Sequence, residues 1–476
     1  MANNFVWVNA TTLNGTLWDN GTLSSVTPIT QIGTLTIGGY DYKYLNAQLN
    51  NTGTIVDNHY YYSLRFQNGA ILNNSGTYEL QQGLIDNYSS SSVGTFNNSG
   101  TFKKTTANTA TIGVAFNNTG IVNVELGTLN LYGGGVSNGG TFNLTSDKTL
   151  EISNSVYTFS NGAKINGSGN LLVSGGTLQA DGNWTLPTIS TWNGGTFKSS
   201  NIITNSGTLT IGGSNYKYLN AQLNNTGTIV DNHYYYSLRF QNGAILNNSG
   251  IYELQQGLID NSSNSSVGTF NNSGTFKKTT ADTATIGVAF NNTGIVEANL
   301  GTLNFSNTYT QNNANLVLKG GNVSFSNALT INGGSIEGNG SINVGVTNSG
   351  LLNPRYASNT EFGRLTINSN YTETNSARIN IQLGGSTAGT NFDQVDINGT
   401  ATFDGTLNVS LLNSFTPTIG STFDVLTYDS LSLLSNLDFT GLDINSTLQF
   451  LPQWFNDKLT LKVVDKSTIT NINVTT

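Results

Sequence analysis

The chain has 476 residues, 55 of them Gly and none Cys, and only 9% are charged, against roughly a quarter in an ordinary globular protein. Without Cys, disulfides, thiolate chemistry and Cys-ligated zinc are excluded together. A formal charge of -8, with 18 scattered Lys and Arg, argues against nucleic acid as a partner, while 36% hydrophobic and 10% aromatic residues suffice for a continuous core.

At the N-terminus, Met1-Ala2-Asn3-Asn4-Phe5-Val6-Trp7 has neither the basic start nor the apolar centre of a secretory leader. No apolar run approaches the ~20 residues of a membrane helix, so no transmembrane segment is expected. Residues 1–32 are expected to form an N-terminal cap and the first coils, with Trp7 and Trp18 closing the end. Residues 33–130 then recur at 207–304, an offset of 174, with about nine positions in ten identical. The same offset pairs Trp18 with Trp192 and Gly21 with Gly195, so two arms, 33–190 and 191–350, share one architecture.

Inside each arm runs a shorter period, Asn-Asn-Ser/Thr-Gly-Thr/Ile-apolar. Its second Asn is Asn51, Asn74, Asn98 and Asn118 in the first arm, spaced 23, 24 and 20 residues apart, and Asn225, Asn248, Asn272 and Asn292 in the second. A period of 20 to 24 residues, rich in strand formers and punctuated by Asn and Gly, predicts an all-β, right-handed parallel β-helix, a β-solenoid with one period per coil. Two aligned columns are wholly apolar: Ile55, Tyr78, Phe102 and Val122, and Leu49, Leu72, Phe96 and Phe116. Each is expected to stack inward as a ladder. The Asn amides are expected to hydrogen-bond along the axis as a structural ladder, and the motif Gly to supply positive φ at a corner.

After about residue 350 the motif stops and three of the five prolines appear, Pro354, Pro417 and Pro452, which predicts a C-terminal β capping domain over 351–476. This tail runs Gly350-Leu351-Leu352-Asn353-Pro354, Phe392-Asp393-Gln394-Val395, Gly399-Thr400-Ala401 and Phe423-Asp424-Val425-Leu426. It resembles the end of the passenger regions of autotransporter-type and related bacterial extracellular β-helical adhesins. The resemblance implies a secreted, cell-surface and mostly adhesive protein. The tail departs from that pattern in having Pro354-Arg355 where Pro-Gly is common, and no translocator barrel follows before Thr476.

No catalytic or metal-binding motif stands out, and no cofactor is expected. The two histidines, His59 and His233, hold the same position in the two arms, so they form no local metal pair. By repeat register Asp57 falls near Glu79 and Leu80, then Lys103 and Lys104, and reads as part of a mixed-charge outer ladder. The stretch 57–66, read as one strand of period two, would turn Tyr60, Tyr62, Leu64 and Phe66 inward and leave Asp57, His59, Tyr61, Ser63 and Arg65 as a polar-aromatic stripe able to dock a sugar ring. The copy is Asp231, His233, Tyr235, Ser237 and Arg239, about eight coils or ~40 Å further on, a spacing suited to multivalent attachment. The competing reading makes this stripe the solvated face of a sheet.

Three function classes remain open from sequence. The leading one is a secreted or cell-surface adhesin or spacer, non-catalytic, with surface glycans or matrix polysaccharide as partners, on a solenoid of ~16 coils. The second is an extracellular fibre or matrix subunit that associates end to end or through the strand-like tail Ser467 to Val474. The third is a polysaccharide-degrading β-helix enzyme.

Overall fold

The computed structural model describes residues 6–8, 12–59, 62–90, 93–233, 237–263, 265–356, 362–432 and 435–468. Parallel strands stack as a β-solenoid of about 17 turns, with a different sheet arrangement at the C-terminus. No α-helix occurs among the described residues, and none has a helix long and apolar enough to cross a membrane. The chain forms two compact units, 1–246 with 261–268, and 247–260 with 269–476.

In the first unit the coils run over three faces, mostly with one short strand on each, while Gly195–Asn205 and Lys217–Asn225 each continue across two faces. A representative coil has Lys43–Asn46 on face A, Gln48–Asn51 on face B and Thr54–Asp57 on face C. The next has Leu64–Phe66, Ile71–Asn74 and Thr77–Leu80 in the same order. Period-two alternation puts one set of side chains inside. Leu49, Leu72, Phe96 and Phe116 stack in register on face B, and Ile55, Tyr78, Phe102 and Val122 on face C, all with 0% exposure. Burying each such side chain contributes roughly 1.5–3 kcal/mol. The rings also stack on one another, Tyr78 on Phe102 at 5.6 Å and 2°.

Two amide ladders fasten the B–C corner. Inside, Asn51 Nδ2 donates to Asn74 Oδ1 at 2.6 Å, Asn74 to Asn98 at 2.7 Å, and Asn98 to Asn118 at 2.8 Å. The same Nδ2 atoms also donate to the carbonyls of Thr77, Thr101 and Ile121, which fixes the orientation of every amide. Outside, the neighbouring Asn residues donate the opposite way, Asn117 to Asn97, Asn97 to Asn73 and Asn73 to Asn50, at 2.8–3.0 Å. The two rows of dipoles run antiparallel, so their fields oppose each other at the corner. Further on, Asn205, which lies outside the Asn-Asn motif, donates to Asn225 at 2.7 Å.

The motif glycines are required for a reason other than positive φ. Gly53, Gly76, Gly100 and Gly120 are absent from the left-handed region. A Cβ at Gly76 would lie 2.1 Å from Gly53 O, one at Gly100 2.3 Å from Gly76 O, and one at Gly120 2.2 Å from Gly100 O. The coils approach so closely here that only a residue without a side chain fits.

In the second unit an inward column runs Phe276, Val296, Leu316, Ile336, Leu352, Ile379 and Leu407, and Asn248, Asn272 and Asn292 form a buried ladder with bonds of 2.7 and 2.9 Å. Past this point the coils lengthen: Ile342 faces Ile367, and Ile397 faces Tyr428. The parallel stack ends where Lys458–Asp465 pairs antiparallel with both Thr422–Leu431 and Leu448–Trp454. Of the tail suggested for self-association, residues 469–476 lie outside the described residues.

Candidate functional site

On face A, Leu64 and Phe66 lie inward and Arg65 outward as expected, but the residues leading into that strand differ from the expected alternation. The strand on face C ends at Asp57, and the next strand begins at Leu64 on face A, so a corner lies between them. Strand parity does not carry across it. Asp57, His59 and Ser63 are buried, at 0%, 1% and 8% exposure, and in the second copy Asp231, His233 and Ser237 are buried too. Tyr62 is outward and 39% exposed; Leu64 and Phe66 are inward. Tyr60, Tyr61 and Tyr235 lie outside the described residues. The expected stripe therefore does not form one surface, and only Arg65 and Arg239 of its described members are accessible.

Asp57 instead anchors an internal polar cluster. One carboxylate oxygen accepts from His59 Nδ1 and the other from the Tyr78 hydroxyl. Lys43 and Lys104, both 0% exposed, project inward as well, Lys43 Nζ donating to Gly39 O at 3.2 Å and Lys104 Nζ to the carbonyl and hydroxyl of Thr106. The outer column of face C is Val56, Glu79 and Lys103. Burial lowers the Lys43 pKa, with Asp57 partly offsetting it, and burial lowers that of Lys104 to about 8. For His59, burial would depress the pKa, but the charge and hydrogen bond of Asp57 outweigh it and the net shift is upward. Asp57, His59, Tyr78 and Lys43 are closed to solvent and are bonded within the corner.

The accessible chemistry lies on the outward positions of the preceding strand. Lys43, Leu45, Ala47 and Leu49 point inward, which turns Tyr42, Tyr44, Asn46 and Gln48 outward in one line across the A–B corner. On the next coil Arg65 pairs with Tyr44 across the sheet, and its guanidinium lies over the Tyr42 ring, Cζ 4.0 Å from the centroid. Tyr62 meets Tyr42 edge-on at 4.6 Å, and Tyr88, 52% exposed, meets Tyr44 at 5.6 Å. Together they make an aromatic plate, half-buried at Tyr42 and Tyr44 and exposed at Tyr62 and Tyr88, with a cation laid on it.

Beside the plate is a groove of about 250 Å³ lined by Ser25, Asn46, Gln48, Gln67 and Asn68 among others, none of them charged. Its lip is a tight turn. Asn68 and Gly69 both have positive φ, 50° and 72°, and Ala70 N donates to Gln67 O at 2.9 Å, the geometry of a type I′ turn. The coil before it passes the corner flush at Ala47, and the step between flush corner and projecting turn is the groove. Asn68 Nδ2 donates to Asn46 Oδ1 at 2.9 Å and Gln48 Nε2 to Asn50 Oδ1 at 3.0 Å, so the amides are held in fixed orientations.

The second arm rebuilds the site. Arg239 Cζ lies 4.0 Å from the Tyr216 centroid, Tyr216 and Tyr218 are 6.1 Å apart, and a groove of about 420 Å³ is lined by Asn220, Gln222, Gln241 and Asn242, widened by Asn183 and Ser199 to Asn201. Ser262 stands where the first arm has Tyr88, so this plate lacks that ring. The groove amides gave no separate signal in the sequence, because Lys43 on the inward side disguises the alternation that would have exposed them.

Among the described residues no group of three or more His, Asp or Glu side chains is placed to hold a metal ion. Comparison with protein-family models and with curated proteins finds no match to this chain.

Proposed function

We propose that the protein is a secreted or cell-surface adhesin of the bacterial β-helical type, non-catalytic, that binds glycans on its plate-and-groove sites. The observation that carries this reading is the repeated pair of an arginine stacked at 4.0 Å on a half-buried tyrosine beside an uncharged, amide-lined groove. Aromatic rings stack on the apolar faces of sugars, and fixed amides offer both a donor and an acceptor to neighbouring hydroxyls. The low-charge, Cys-free composition and the tail's likeness to exported adhesins support the extracellular placement.

A glycan-array screen followed by calorimetry on the best ligand tests the proposal. Wild type should bind and release no oligosaccharide, and a variant carrying Tyr42→Ala, Arg65→Ala, Tyr216→Ala and Arg239→Ala should not bind. Absence of binding by wild type, unchanged binding by the variant, or released oligosaccharide would each overturn it.

A further inference from the structure

The two sites belong to one compact unit, so their relative placement follows from strand register alone. On face A the strand Lys43–Asn46 stacks on Leu64–Phe66, then Gly83–Asn87, Thr109–Ile112, Thr128–Asn130, Thr149–Ile152, Asn170–Val173, Ile189–Trp192 and Thr208–Ile211. That is eight coil steps, and Thr208–Ile211 is the copy of Thr34–Ile37, a face C strand in the first arm. The copy of Lys43–Asn46 is 217–220, whose Leu219 pairs with Phe197. Phe197 continues the column of Leu178 and Tyr157 on face B, the face of Asn51 and Asn118. The next segment, 222–225, lies on face C, and Thr228–Asp231 returns to face A.

The second arm is therefore displaced by eight coils and one face. The first groove sits at the A–B corner and the second at the B–C corner, ~38 Å further along at the rung spacing of a β-sheet. A glycan lying along the first corner does not meet the second groove, because the two grooves occupy different corners at the two edges of face B. Both grooves are lined by amides, hydroxyls and small apolar groups, which suit the hydroxyls of a neutral sugar, and the cation beside each, Arg65 or Arg239, is stacked on its tyrosine.

We infer that the two grooves take two separate neutral polysaccharide chains and that the protein cross-links them. This rests on the glycan-binding reading above, and the test separates the two. Calorimetry with a neutral hexasaccharide chosen from the array should give two sites for wild type. It should give one for Tyr42→Ala with Asn46→Ala, and one for Tyr216→Ala with Asn220→Ala, the remaining site in each variant reporting an intact fold. Latex beads coated with the parent polysaccharide should aggregate with wild type at micromolar concentration and with neither variant.

No hexasaccharide binding at all defeats the glycan-binding reading itself. Two-site binding without bead aggregation, or aggregation by the single-site variants, leaves that reading standing and overturns cross-linking.

Discussion

Replacing Asn98 tests whether the inner amide ladder holds the corner, because its outer neighbour Asn97 provides an internal control one residue away. Asn98 is 1% exposed, accepts from Asn74 at 2.7 Å, and donates to Asn118 at 2.8 Å and to Ile121 O at 3.2 Å. In Asn98→Ala, Asn74 keeps its bond to Thr101 O, but the buried Asn118 Oδ1 loses the donor Asn98 supplies. An orphaned buried acceptor costs about 1–3 kcal/mol, and the lost bonds bring the expected total to about 2–4 kcal/mol. Asn97 is half-exposed and water replaces its bonds to Asn73 and Asn117, so Asn97→Ala should cost under about 1 kcal/mol. Coils of a solenoid open locally, so amide hydrogen exchange over Thr101–Lys104 and Ala115–Asn118 is the suitable assay. Exchange there should speed up about thirty- to several-hundred-fold in Asn98→Ala.

Asn98→Asp sharpens the test. A carboxylate still accepts from Asn74, but its other oxygen faces two acceptors, Asn118 Oδ1 and Ile121 O. Its folded pKa is then raised above the unfolded value of about 3.9 by burial and repulsion. A group raised in the fold contributes stability that is complete below the unfolded pKa and lost as pH rises through the folded one. Asn98→Asp should therefore approach wild type below about pH 4, where the acid can donate to Asn118, and fall furthest behind at neutral pH. Equal effects at 97 and 98, or no pH dependence in the Asp variant, would refute the ladder argument.

Three further outcomes follow from packing and charge. Gly76→Ala places a Cβ 2.1 Å from Gly53 O and forces two coils apart, for about 3 kcal/mol or more in urea unfolding, whereas Gly69→Ala, with φ of 72° and open space, should cost about 1 kcal/mol. Glu373 is 2% exposed with neither carboxylate oxygen bonded, and burial, aided by Asp404, raises its pKa from 4.5 to about 8. Its stabilising contribution is complete below pH 4.5 and is lost as pH rises to about 8, so the advantage of Glu373→Gln over wild type in urea unfolding should grow across that window and level off above it. In Asp57→Asn the burial of His59 is no longer opposed, so its imidazole titration, followed by NMR with only two histidines to assign, should move from above 6.5 to below it. With that reversal, the stability His59 gives wild type below pH 6.5, lost as pH rises through its raised pKa, becomes a contribution that increases with pH.

How much of this was legible in the sequence depends on whether a feature repeats within one coil. The columns of Leu49 and Ile55 were readable because the Asn-Asn-Gly period sets register directly, and one misplaced residue would turn a whole column to solvent. The surface stripe was misread because alternation was carried through 57–66 as one strand, across a corner that resets it. Charged residues added to the error: Lys43, Asp57 and Lys104 suggest an outward face, yet each is buried, Lys43 and Lys104 bonded to carbonyls and Asp57 to His59 and Tyr78. The Gly motif was recognised, but its cause lies in contact with the preceding coil, which no local pattern encodes.

The one-face displacement of the second arm was hidden for a related reason: within the first arm coil length varies, from 19 residues between Asn118 and Ser137 to 27 between Ile85 and Ile112, so an offset of 174 cannot be divided into turns by counting. The core tolerates the displacement because all three faces present the same kind of inward side chain to the axis. Leu35 on face C and its copy Leu209 on face A are 1% and 0% exposed, although Leu35 pairs with Ile55 and Leu209 with Ser190 and Ile229. A duplication that is out of phase with the coil thus leaves burial unchanged and redirects only what points outward. In a globular domain the same insertion would have to rebuild a core; in a solenoid it copies a surface site onto a new side at little cost in packing.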